Sequence, residues 1–153
     1  MIIKGINNQS IEFRILNYQF PGNEDCEYDA NWLNIFIKVD STRGNWQAID
    51  PALLTWEIQQ LIEWLKRILA NKKIHENPIT FIEPCLEIEL LKKNDKKNLR
   101  FHFNYEFKPQ NDNDEIEYFV DASFSNQELE DLITNFENEL SKFPERTVHK
   151  KRQ

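Results

Sequence analysis

The side chains able to do chemistry are few and scattered. His75, His102 and His149 fall in a helix-to-strand connection, inside an alternating strand and in a charged tail, and none has a partner at motif spacing. His102 shares its strand face with Arg100, Asn104 and Glu106, the setting of a solvent-facing residue rather than of a catalytic base. Cys26 and Cys85 lie far apart with no C-x-x-C or H-x-x-x-H neighbours, so both are read as free thiols. Gly5, Gly22 and Gly44 are too dispersed to cradle a phosphate, and nucleophile elbows, P-loops, dinucleotide fingerprints and zinc-protease helices are absent.

Carboxylates remain. Pairs such as Asp25 with Glu27 and Asp112 with Asp114 are suited to acid–base work or to calcium, but Asp112 to Asp121 lacks the fixed glycine and final glutamate of an EF-hand loop. No catalytic residue, metal or cofactor is assigned, and the expectation is a protein that is not an enzyme. The acidic side chains read better as recognition. Glu24, Asp25, Glu27 and Asp29 form one patch, and Asp112, Asp114, Glu115 and Glu117 form a second. Trp32 sits on the second face of an apolar strand and Trp46 follows a turn. An exposed tryptophan beside carboxylates has the composition of a hot spot for a cationic partner, so these residues make up the candidate partner-binding set.

Net charge points the same way. The chain of 153 residues carries −7, but 145–153 is locally +3, which leaves −10 on residues 1–144. Such a body repels phosphate backbones and attracts basic surfaces, so a basic protein is the expected partner and direct nucleic-acid binding is not. The N-terminus lacks the pattern of a secretory signal, and nowhere do about 18 apolar residues run together, so a cytoplasmic protein with no membrane contact is expected. Nothing in the sequence fixes the oligomeric state.

The elements that must position these residues follow from periodicity. Ile11, Phe13 and Ile15 alternate with polar residues, and a strand at Met1 to Ile6 precedes them. Tyr18 to Asp29 reads as an exposed loop. Trp32 to Val39 is a strong strand, turned by Arg43-Gly44-Asn45 into Trp46 to Ile49, where Asp50-Pro51 is expected to break it. Thr55 reads as the cap of a helix extending to about Lys72, with Ile58, Leu61, Ile62, Leu65, Ile68 and Leu69 on one stripe and Trp64 beside it in the core. Strands follow at Leu86 to Leu90, at Leu99 to Phe107 with Tyr105 in alternation, and at Ile116 to Val120. Ser125 and Glu128 spell a capping box ahead of Leu129, Leu132, Ile133, Phe136 and Leu140. The expected fold is α+β: an antiparallel sheet of about six to seven strands with two amphipathic helices packed on it, in the order strands, helix, strands, helix. One domain over 1–144 is expected, with a possible pseudo-repeat of 1–75 and 76–144, followed by a basic, disordered tail over 145–153.

Tyr18-Gln-Phe-Pro21, the run Tyr28-Asp-Ala-Asn-Trp-Leu33, Trp46, Asp50-Pro-Ala-Leu-Leu-Thr-Trp-Glu57 and Leu61-Ile-Glu-Trp-Leu65 together resemble the WapI-type bacterial immunity proteins. The resemblance is densest from Tyr18 to Leu65 and continues more loosely through the second helix. It implies a cytoplasmic antidote made beside the gene for a wall-associated, contact-delivered toxin. In that family the toxin's C-terminal domain is often a nuclease acting on tRNA. The antidote would bind the domain and occlude it without turnover. The YDANWL run itself reads as structural, with Tyr28 and Trp32 on the sheet, Asp29 capping a turn and Leu33 in the core. The alternative function is a small-molecule sensor or carrier with an apolar pocket between sheet and helices.

Overall fold

The computed structural model describes residues 1–22, 25–93, 95–110 and 115–148. Alternating apolar residues lay down two antiparallel meanders, each followed by a helix. The first meander consists of β1 (Ile2–Lys4), β2 (Ser10–Tyr18), β3 (Trp32–Ser41) and β4 (Gly44–Leu54), paired in that order. After α2 (Thr55–Leu69) come β5 (Leu86–Lys93), β6 (Lys97–Phe103) and β7 (Tyr118–Phe124), also paired in order, and then α3 (Asn126–Ser141). The α+β class, the seven strands and the order of strands and helices are as the sequence implies. The strands are divided between two sheets instead of forming one, and a short helix, α1 (Glu27–Asn31), occupies part of the segment read as loop.

One hydrophobic cluster joins the layers. It includes Ile11, Phe13 and Ile15 of β2, Ile35 and Ile37 of β3, and Leu99, Phe101 and Phe103 of β6. The stripes of both helices close over it, with Ile58, Leu61, Leu65 and Trp64 from α2 and Leu129, Leu132, Ile133 and Phe136 from α3. Phe136 meets Phe13 edge-on at 5.3 Å, a favourable aromatic geometry. At one margin the sheets touch through backbone: Ile6 N donates to Asp121 O at 2.8 Å. Gly5 permits that approach, because a Cβ there would lie 2.6 Å from Val120 Cγ1 and 2.9 Å from Asp121 O.

Local expectations fail in three places, each for a physical reason. Pro51 does not end β4, which runs on to Leu54; the register with β3 shifts between Asp50 and Leu53, so the missing N–H interrupts no regular ladder. Thr55 is the first helical residue rather than the cap. Glu57 does the capping, its Oε1 accepting from Leu54 N at 3.0 Å, while Oε2 accepts from Ile82 N at 2.9 Å. Burial pushes the Glu57 carboxyl up, and those two N–H bonds oppose the rise. The alternation after Phe103 breaks into a 3-10 turn, Tyr105–Phe107, with Tyr105 at φ 49°. The box at α3 is as expected: Ser125 Oγ accepts from Glu128 N, and Glu128 Oε1 accepts from Ser125 N.

Thr55 has another partner. Asn31, 1% exposed, accepts at Oδ1 from Thr55 Oγ1 (3.0 Å) and Arg146 N (2.8 Å) and donates from Nδ2 to Glu27 O (2.8 Å) and Arg146 O (2.9 Å). Its carboxamide is saturated. Arg146, assigned above to a disordered tail, is docked: its guanidinium donates to Ala30 O, Phe20 O and Gly22 O and stacks on the Tyr18 ring at 3.9 Å. Residues 149–153 of that tail lie outside the described residues. Asn31→Ala leaves several buried partners unpaired and is expected to lower unfolding free energy by about 2–4 kcal/mol in urea titrations. Gln60→Ala on the exposed face of α2 should shift it by less than ~0.5 kcal/mol. Equal effects would remove Asn31 from any central role.

Candidate functional site

β4 is the outer strand of its sheet, and the 3-10 turn after β6 stands against it. Trp46 joins the two. Its Nε1 donates to Phe107 O at 2.8 Å, and its ring meets Tyr118 at 5.2 Å and Phe103 at 6.0 Å, both edge-on. Beside this junction lies an open cleft of about 1170 Å³ between β4 and the second sheet. Gln47, Ala48, Ile49 and Asp50 all line it. Successive strand side chains point to opposite faces, so four consecutive lining residues mean that the edge of β4, not one of its faces, borders the cleft.

The lining is acidic. Asp50, Glu87, Glu106 and Glu117 contribute carboxylates, against Lys108 and the imidazole of His102, which lies 3.2 Å from Glu89. Burial pushes the Asp50 carboxyl up, and the charges of Glu106 and, less strongly, Glu83 push in the same direction; the Cys85 thiol, donating to Asp50 Oδ2 at 3.7 Å, works against them. Cys85 itself is buried and unreactive, its thiol pushed up to about 12 by burial and by Asp50. Cys26 is also a free thiol, and it is exposed. Two large apolar side chains stand in water around the cleft, Ile49 at 60% and Tyr105 at 67% exposure. An aromatic residue held at positive φ with its ring displayed is a costly arrangement of the kind found at functional sites. The cleft is open and charged, unlike the apolar pocket that a small-molecule carrier needs.

The candidate residues read from sequence are only partly brought together. Glu117 lines the cleft, and Glu115 is exposed near it in sequence. Trp46 forms the junction and is occupied by packing rather than displayed. Asp25 and Glu27 are exposed, and Asp29 and Trp32 half-buried, around α1, away from the cleft lining. Tyr28 there stacks edge-on against Trp56 at 5.3 Å. Glu24, Asp112 and Asp114 lie outside the described residues. Sequence reading missed Ile49, Asp50, Glu87, Tyr105 and Glu106. They come from three separate segments, Ile49 and Asp50 from β4, Glu87 from β5 and Tyr105 and Glu106 from the 3-10 turn, and only the packing of β4 against the second sheet gathers them.

Among the described residues no three side chains converge at metal-binding distance, and no helix is long and apolar enough to cross a membrane. An acidic cleft bordered by a strand edge and exposed apolar side chains has the physical character suited to docking another protein. The family model described as the immunity protein WapI-like family matches residues 1–144, and the chain belongs to that family. It is thereby a toxin immunity protein. No curated protein and no solved structure matches the chain.

The upward push on the Asp50 carboxyl gives a pH prediction. Its folded value lies above the ordinary 3.8, so ionisation costs the folded state more than the unfolded one, and stability falls as pH rises through the folded value. Asp50→Asn should therefore melt above the parent at pH 7, with the gap closing as pH falls towards 3.8. A variant that is less stable at pH 7 would show that the carboxylate is stabilising.

Proposed function

We propose that this chain binds the C-terminal domain of its cognate toxin one-to-one in the cytoplasm and covers that domain's active site or substrate groove, without chemical turnover. The domain is a basic nuclease, such as one acting on tRNA, delivered by contact from a neighbouring cell. The immunity role rests on the family to which residues 1–144 belong. The basic character of the partner is supported by one observation, the −10 carried by that same body. A nuclease domain must hold a polyanion and so presents cationic surface, and an acidic antidote competes for that surface and meets it quickly.

Co-expression tests this. The C-terminal domain of the toxin encoded beside the gene for this chain should arrest growth when produced alone. Adding the chain should restore growth and yield a complex that copurifies at equal stoichiometry. Growth arrest that persists, with no complex recovered, would refute the assignment.

A further inference from the structure

The backbone of β4 narrows the contact surface. A two-residue loop, Thr42-Arg43, joins it to β3, so Ser41 and Gly44 are the pair that exchanges both backbone hydrogen bonds, and the pattern alternates from there. The pairs Val39 with Trp46 and Ile37 with Ala48 bond each other in the same way. Gln47 and Ile49, opposite Lys38 and Phe36, therefore turn their N–H and C=O groups away from β3. Those groups face the free edge, which is the side that borders the cleft. Among the described residues no backbone group outside the sheet pairs with them.

We propose that the cognate toxin seats a basic extended segment in this cleft, where it pairs with the open edge of β4 at Gln47 and Ile49 while its lysine or arginine side chains meet Asp50, Glu87, Glu106 and Glu117. The inference rests on the immunity reading above and adds the place and manner of contact. An unpaired strand edge is a template for another strand, and main-chain pairing supplies affinity without demanding a particular sequence. The carboxylates choose the sign of what binds. Ile49 and Tyr105 offer apolar surface to the aliphatic stems of long cationic side chains and shield the ion pairs from water. A second copy of this chain fits worse, because it would bring carboxylates against carboxylates.

The test uses the full chain and the toxin domain inactivated at its catalytic residue, with association and dissociation followed at low and moderate salt. Ile49→Pro removes both an outward-facing N–H and the exposed isoleucine side chain, two parts of the proposed contact, and edge strands tolerate proline at such a position. It should stay folded by circular dichroism and bind about 100-fold more weakly, mainly through faster dissociation. The combined change Asp50→Asn, Glu106→Gln and Glu117→Gln keeps the backbone intact, and should also weaken binding while flattening its salt dependence. Neutralising Asp25, Glu27 and Asp29 should leave the dissociation rate unchanged. If the parent binds and both cleft variants bind equally well, the cleft is overturned and the immunity reading survives. If Ile49→Pro alters only self-association of the chain, the edge serves a second copy and the proposal is wrong. If the parent itself fails to bind, the immunity reading falls and the cleft with it.

Discussion

The placement of Trp46 is the constraint on which the cleft depends. One indole N–H bonded to Phe107 O, and one ring wedged against Phe103 and Tyr118, fix the outer strand of the first sheet against the turn that ends β6. A large aromatic is suited to this position because it fills the junction with apolar area while its polar edge satisfies a carbonyl that packing would otherwise leave bare. With that junction fixed, the strand edge beside it cannot collapse onto the second sheet. Asp50, Glu87, Glu106 and Glu117 are left lining the open cleft.

A second polar knot secures the other part of the molecule. Asn31 sits within the YDANWL run and spends all its hydrogen-bonding capacity on α1, the first residue of α2 and the segment at Arg146. The run thus has a structural meaning: Ala30 and Leu33 are buried, Asn31 ties three segments, and Ala30 O receives the Arg146 guanidinium. Tyr28 and Asp29 stay at the surface, with Tyr28 on Trp56. Buried polar groups satisfied to this degree specify one arrangement of chain segments more than they add net stability.

Periodicity and caps made most of the architecture legible. The stripes of α2 and α3, the Ser125–Glu128 box and the β3–β4 hairpin are local patterns, and local patterns survive folding. What stayed hidden depended on distant partners. Thr55 looked like a cap, but its hydroxyl is drawn to Asn31, 24 residues away in sequence. Tyr105 continued an alternation that the backbone abandons at Asn104. The acidic runs around Asp25 and Asp114 were conspicuous because their charges are adjacent in sequence. The cleft carboxylates were not conspicuous, since adjacency there is created by tertiary packing. Glu117 alone was found both ways.

The free protein bears the cost of holding the Asp50 carboxylate partly buried beside Glu106, and in the proposed complex a cationic segment that completes the strand edge relieves it. Amide hydrogen exchange, read residue by residue in the free chain and in its complex with the inactivated toxin domain, tests this most directly. The account predicts that the N–H groups of Gln47 and Ile49, which have no backbone partner among the described residues of the free chain, become strongly protected in the complex. Unchanged exchange at those two positions, with protection appearing instead around Asp25 to Tyr28, would contradict it.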